Sequence, residues 1–336
     1  ASSTLDISVQ SVSDDSYLKL FKIDSSLADY NKDSLESSID YSYESNNLFF
    51  GLNSTVYETL KSEYNDKYEY IFPEITLDKN LFSNEKFGSL DLLSNLKIHN
   101  YDTNKLSKFL VNDLFWNFRN FNFNSGLKGK LFGNIKNLNY ETKNINTYKD
   151  EPNSELFGAI GYLSELKLLK KQKNSEHILK PKMLLRYAPG SMRDETEGSR
   201  LNPISAFSLN RLENDNNFET GLNAALGLDY KFNNNKNEFD FSIAQIINEE
   251  ENKSMPSKTG LDEKLSDLVG NASYNINDKI KLDYEFALDQ NFNDLNYSEL
   301  GAKLNLGNIN FDFNFLQEKK HIGNQEYFKT KISTNN

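Results

Sequence analysis

The chain has 336 residues, a formal net charge of −11, 37% hydrophobic residues and no cysteine. An acidic chain repels nucleic-acid phosphates, so no nucleic-acid partner is expected. Without cysteine, neither a disulfide nor a thiolate metal site can form. The mean hydropathy is −0.68, and no apolar run reaches the roughly 18 residues of a membrane helix. A membrane barrel is not excluded, because its strands need an apolar residue only at every second position.

Residues 4–12 alternate, with Leu5, Ile7 and Val9 against Asp6, Ser8 and Gln10, and predict a strand. Residues 13–34 are polar and read as a long loop holding an extended YLKLF segment. Two strands, 35–44 and 48–58, flank the short hairpin turn Ser45-Asn46-Asn47. Residues 68–79 carry Pro73, which lacks the ladder N–H, so that strand is expected to be bulged or locally broken. Residues 88–100 and 107–123 are predicted strands, the second long and aromatic. Residues 126–140 fit either class, and 141–153 read as a polar loop. Residues 155–171 could be helical, but Gly158 and Gly161 weaken a helix and favour a strand.

The stretch 178–211, ILKPKMLLRYAPGSMRDETEGSRLNPISAFSLNR, reads as strand, long polar loop and short strand. Met183, Leu185 and Tyr187 fall on one face, and Lys182, Leu184 and Arg186 on the other. Pro181 is placed where the strand begins, Pro189-Gly190 breaks it, and Ala206 to Arg211 resumes an extended run. Between them lies a mixed-charge cluster of Arg193, Asp194, Glu195, Glu197 and Arg200.

From Gly221 the two-residue period is clean. Leu222, Ala224, Leu226, Leu228, Tyr230 and Phe232 oppose Asn223, Ala225, Gly227, Asp229 and Lys231. After a turn at 233–237, Phe239, Phe241 and Ile243 oppose Glu238, Asp240 and Ser242. A long acidic loop is expected at 248–264 and a strand at 266–275. Across Asn277-Asp278, Ile280, Leu282, Tyr284, Phe286 and Leu288 then oppose Lys281, Asp283, Glu285 and Ala287. Strands 300–306 and 309–315 flank a tight Gly307-Asn308 turn, and 326–333 is the last.

This amounts to about 16 strands, many near 10 residues long as a membrane barrel requires. Soluble strands average 5 or 6. Short turns recur among long polar loops, and Tyr41, Tyr43, Phe49, Phe50 and Tyr57 near strand ends suggest interfacial girdles. The expected fold is all-β, a large antiparallel transmembrane β-barrel; a soluble β-sandwich is the competing reading. In the barrel, Asn223, Asp229, Lys231, Lys281, Asp283, Glu285, Asn310, Asp312 and Asn314 are expected to face the lumen. Ile309, Phe311, Phe313 and Phe315 are expected to face lipid.

Candidate chemistry is sparse. Asp289-Gln290-Asn291-Phe292-Asn293 opens like an EF-hand, but Asp294 stands where Gly belongs and Leu300 where the bidentate Glu belongs, so a polar turn is expected. His99, His177 and His321 are isolated, with no metal-ligand spacing. The first two read as polar residues at strand ends, and His321 as structural. Asn53, Asn271 and Asn296 match glycosylation sequons by chance in an Asn-rich chain, and Trp116 reads as an anchor. The 193–200 cluster is expected to be a solvated network, with Arg193 and Arg200 the candidates for gripping phosphate. No catalytic constellation, metal or cofactor is expected.

LKPKMLLRYAPGSMR, FSLNR, ETGLNAALGLDYKF, SDLVG and EKKHIGN, in this order and spacing, resemble the barrel of the LptD family, which assembles lipopolysaccharide in Gram-negative outer membranes. VSDDSYLK and FPEITLDKN (72–80) resemble earlier barrel segments, so the likeness runs from about Val12 to the end, while LVNDLFW to NINTYKD matches poorly. The resemblance implies an outer-membrane location and transport without catalysis. It also implies lipopolysaccharide and membrane lipid as partners, an LptE-like plug lipoprotein in the lumen, and an LptA-like bridge reached through a periplasmic N-terminal domain. Residues 1–336 would form part of one barrel domain, lacking that N-terminal domain and the end strands that form the lateral exit. A general porin and a secreted glycan-binding sheet are the alternatives.

Overall fold

The computed structural model describes the chain except for residues 26–28, 62–65, 103, 197, 199, 235, 321–322 and 335–336, and the side chain of Asp278. His321 and Glu197, both singled out above, lie outside the described residues. In chain order the elements are β1 (Ser2–Ser8), α1 (Tyr17–Leu20), β2 (Ser34–Ser45), β3 (Leu48–Thr59), β4 (Tyr68–Asn84), β5 (Gly88–Tyr101), β6 (Lys105–Asn117), β7 (Phe121–Asn122) and β8 (Leu127–Lys143). They continue with β9 (Asn153–Leu166), β10 (Leu168–Gln172), β11 (Ser175–Ala188), β12 (Gly221–Asn234), β13 (Asn237–Asn248), β14 (Leu268–Ile276), β15 (Ile280–Leu288), β16 (Leu295–Asn305), β17 (Ile309–Glu318) and β18 (Gln325–Thr334). Two compact units emerge, Ala1–Trp116 with Asn134–Phe157, and Asn117–Gly133 with Gly158–Asn336.

In the first unit β1 pairs antiparallel with β2, β2 with β3, β3 with β4 and β4 with β5. The two-residue turn Asn46-Asn47 closes the β2–β3 hairpin, with Ser45 opposite Leu48. Pro73 does bulge its strand. The register jumps from Ile71 to Glu74 against both neighbours, leaving Phe72 and Pro73 without ladder partners. Asn84 builds the next turn, its Oδ1 accepting the N–H of Lys86 at 3.0 Å and of Phe87 at 2.7 Å. Gly88 supplies the left-handed residue (φ 78°) that closes it.

Three expectations are corrected here. The first strand ends at Ser8 rather than at Val12, and Val9 is 79% exposed. YLKL forms the single turn α1 instead of extending, because Leu18 is buried with Leu35 and Leu60 while Val12, Ile23 and Tyr30 close around them. The expected strand 107–123 is broken after Asn117. Phe118 and Phe121 rings stand 5.5 Å apart, a contact that residues three apart in a regular strand, facing opposite ways, cannot make. The ambiguous stretch 126–140 resolves as β8, 17 residues long.

In the second unit β11 pairs with β12 over its whole length, from Ser175 opposite Asn234 to Ala188 opposite Gly221. On its other edge β11 meets β10 up to Leu179 and β9 from Lys182 onward. Pro181 therefore lies inside the strand rather than at its start, opposite the interruption between β9 and β10, where no N–H is required. The glycine argument at 155–171 holds, since both β9 and β10 are extended. β12 through β18 continue as an antiparallel meander with one irregularity, at Ala287/Leu288.

The expected short strand at Ala206 to Arg211 is absent. Ser205–Phe207 is a 3₁₀ turn, held by Asn202 Oδ1, which accepts the N–H groups of Ile204 at 2.9 Å and Ser205 at 2.8 Å. This turn lays Phe207 on β12 at Gly227, where a Cβ would come within 2.7 Å of the ring. Leu209 likewise occupies the space that Gly161 leaves open, 2.8 Å from where a Cβ would be.

Candidate functional site

The second unit has two chemically opposite sheet faces. Directly paired residues share a face, so each register row can be followed across strands. One row runs Tyr230, Phe241, Ala272, Tyr284, Leu300, Phe315, Phe328. A parallel one runs His177, Phe232, Phe239, Tyr274, Leu282, Ala302, Phe313, Thr330. On the other face lie Lys231, Asp240, Ser273, Asp283, Gly301, Asn314, Lys329, and beside them Asn233, Glu238, Asn275, Lys281, Lys303, Asp312, Lys331. The apolar face that carries these rows is open to the surroundings near the long loops: Leu185, Tyr187, Leu222 and Leu226 are all 43% exposed or more. On the opposite face of the same strands Leu184, Arg186 and Ala225 are at most 1% exposed. A sheet that leaves its apolar face exposed is the reverse of a water-soluble sheet, which buries that face.

The polar face is itself zoned. Toward the short connections of β12 to β13, β14 to β15 and β16 to β17 it carries ion pairs, Lys182–Asp229 at 2.8 Å, Lys281–Asp283 at 3.1 Å and Lys231–Asp240 at 3.5 Å. Toward the long loops (189–220, 249–267) it becomes apolar, with Ala225, Ala244, Ile246, Val269 and Ala287 all buried. Onto these, mostly small, residues pack Met192, Leu201, Ala206 and Leu212 from one loop and Met255 and Leu261 from the other. Neither loop is therefore the solvated segment its composition suggested. Hydrophobic burial holds both against this face of the sheet.

Two buried arginines clasp the first loop. Arg186 is 1% exposed and donates from Nε to Leu209 O at 2.6 Å, from Nη1 to Gly221 O at 3.4 Å and from Nη2 to Glu219 O. Its Nη1 also lies 3.6 Å from the Glu219 carboxylate, which pairs in addition with Arg211 through Nε (2.7 Å) and Nη2. The two loops are tied to each other by Glu195 N–H to Ser254 O at 2.9 Å and by Ser254 Oγ to Asp194 at 2.8 Å.

Beyond the second loop, Lys320 lies 3.0 Å from Glu263 and 3.6 Å from Asp267. Burial pushes the Asp262 and Asp267 carboxyls up, and for Asp267 this outweighs the Asn296 amide, at 2.9 Å, and the Lys320 ammonium. Burial would lower Lys320, but its hydrogen bond to Glu263 and the carboxylates around it leave it raised.

Two cavities bracket the face. One of about 290 Å³ lies at the loop end, among Glu219, Glu249, Glu250, Glu251 and Met192. The other, about 640 Å³, lies at the turn end, among Lys236, Lys279, Lys281, Lys303, Glu238 and Asp312.

All nine residues singled out from alternation, Asn223, Asp229, Lys231, Lys281, Asp283, Glu285, Asn310, Asp312 and Asn314, fall on this one face. Arg193 and Arg200 both have protein partners. Arg193 donates to Asn216 O, and Arg200 pairs with Glu318, which is 1% exposed, while lying over the Tyr297 ring. His99 bonds Glu69 at 2.6 Å and His177 bonds Tyr230 at 2.9 Å. In the first unit a buried pair that sequence reasoning missed, Lys136–Asp113 at 3.0 Å, joins β8 to β6, with Asn134 donating to Asp113 at 3.2 Å. Its signal was present in the alternation of Asn134, Lys136, Leu138 and Tyr140, blurred by the glycines and asparagines around it. Lys303 and Glu318 were missed as well, though Lys303 alternates with Ala302 and Leu304.

A family model described as LptD, LPS transport system D, matches residues 3–334. No curated protein matches the chain.

Proposed function

Given that this chain belongs to the LptD family of lipopolysaccharide transport proteins, we propose that the polar sheet face of the second unit lines an aqueous lumen through which the sugar portion of lipopolysaccharide passes. Family membership places the protein in the outer membrane, as a β-barrel acting in lipopolysaccharide transport. The observation that carries the finer reading is the separation of aromatic rows from charged rows on the same strands. Hydrocarbon accepts the first and expels the second, whereas water does the opposite.

In this reading Asn223, Asp229, Lys231, Lys281, Asp283, Glu285, Asn310, Asp312 and Asn314 face the lumen. The short turns lie on the periplasmic side and the long loops outside, as in other outer-membrane barrels. Acyl chains stay in hydrocarbon and sugars in water, so neither pays a full transfer cost. No bond is made or broken, and the action is transport rather than catalysis. The partners are a plug lipoprotein of the LptE kind and a periplasmic bridge of the LptA kind. Phosphate contact by Arg193 or Arg200 requires each to exchange the partner it now holds.

Depletion of the protein in its parent cell, followed by surface labelling of lipopolysaccharide, tests this. Surface display is expected to fall. Unchanged display with uptake of small solutes lost would replace this reading with that of a porin.

A further inference from the structure

We infer that the cavity at the turn end of the second unit is an anion-binding subsite for the phosphorylated headgroup of the transported glycolipid; this rests on the function proposed above. Register sets Lys281 directly opposite Lys303, and like charges directly opposed across a sheet repel. Asp312 stands opposite Lys303 on its other side but forms no ion pair with it among the described residues, so the two lysines are not neutralised where they meet. The turns add Lys236 and Lys279 to the same cavity. Against these four ammoniums the described lining offers only the carboxylates of Glu238 and Asp312. Glu238 is engaged by Lys231, which does not line the cavity. Lys281 is paired to Asp283, but Lys236, Lys279 and Lys303 form no ion pair among the described residues.

The concentration is local. The chain as a whole carries −11, and the loop-end cavity of the same face is lined by Glu219, Glu249, Glu250 and Glu251 with no basic residue among those described. An excess of cations at one end and of anions at the other is not what a uniformly solvated surface requires. Lysine is a mobile point charge that grips phosphate without a fixed fork geometry, which suits a ligand that must also leave. A volume of about 640 Å³ is within the range of small-molecule pockets and exceeds what one phosphate fills, so the fitting class is a sugar phosphate.

The purified protein in non-ionic detergent is titrated with lipopolysaccharide, with the same material after phosphatase treatment, and with inorganic pyrophosphate. The variants are the double substitution Lys281→Gln with Lys303→Gln, and Lys253→Gln in the long loop as control; heat-dependent gel mobility reports folding. Expected is tight binding of the phosphorylated lipid, loss of tenfold or more in the double variant, no change in the control, and weak binding of dephosphorylated lipid that the variants do not alter. A double variant that binds phosphorylated lipid like the wild type overturns the subsite while leaving the transport reading standing. A wild type that binds only pyrophosphate, with loss in the double variant, supports an anion site and overturns the lipid headgroup as its ligand. Binding of neither overturns both. If the double variant does not fold, acetylation of the wild type decides. Lipopolysaccharide should protect Lys281 and Lys303 but not Lys253, and equal labelling of all three overturns the subsite.

Discussion

The guanidinium of Arg186 lies 3.6 Å from the carboxylate of Glu219, 33 positions along the chain, with the two side chains 0% and 5% exposed. Arg211 shares the same carboxylate. Glu219→Gln would leave two cations buried without a counter-charge, and breaking a buried pair in this way costs about 3–5 kcal/mol. The expected outcome is a lowered unfolding midpoint in heat-dependent gel mobility and new protease cleavage within 189–220. A variant with wild-type midpoint and an uncut loop would show that the clasp does not hold the loop.

A second prediction concerns the two faces of β17. Phe313 shares the row of Leu282 and Phe239, while Asn314 pairs with Gly301 and Lys329 on the polar face. Phe313→Arg should cost about 2–4 kcal/mol near the membrane midplane. Asn314→Arg should cost less than about 1 kcal/mol, the range of a cross-strand pair change. Folding titrations in phospholipid vesicles compare the two, and equal costs would refute the facing.

The pH response of the long loops follows from Asp267. Its carboxyl titrates above the ordinary range because burial disfavours its charged form. A folded-state pKa above the unfolded value means that the folded protein holds that proton more tightly. Stability is therefore gained as pH falls from neutral through the raised pKa, and the gain is complete below the unfolded value near 3.8. Asp267→Asn should remove this gain and be no less stable than wild type at neutral pH. The difference between wild-type and variant midpoints across pH 3–8 isolates this group, and a difference independent of pH would contradict the assignment.

The turn 289–294 should not bind calcium. Asp289 Oδ1 already accepts the N–H groups of Asn293 at 2.7 Å and Asp294 at 3.1 Å, and Leu300 replaces the bidentate glutamate such a loop needs. Calorimetry with micromolar calcium is expected to show no heat at this site. A signal abolished by Asp289→Ala would prove the reverse.

Strand positions and faces were legible because the pleat is a local property. Leu184 and Arg186 point opposite to Leu185 and Tyr187 whatever surrounds them, and the faces read from alternation in β12, β13, β15 and β17 agree with the observed register rows. Where the reading failed, neighbours far along the chain were responsible. The 3₁₀ turn at Ser205–Phe207 forms because Phe207 finds Gly227, and α1 forms because Leu18 finds Leu35 and Leu60. Pro181 is tolerated within β11 because of a gap in adjacent strands.

The amino-acid order alone determined an antiparallel sheet of long strands with one apolar and one polar side, since a period of two is written residue by residue. Only the tertiary structure decided what covers the polar side. The loops 189–220 and 249–267 have polar compositions, yet a few apolar residues in them join one buried cluster with Ala225, Ala244, Val269 and Ala287, which lie on four different strands. The same holds for charge. Lys281 and Lys303 are ordinary surface lysines in sequence, and register alone sets them face to face, because the energy of a pair depends on distance in space and not on separation along the chain.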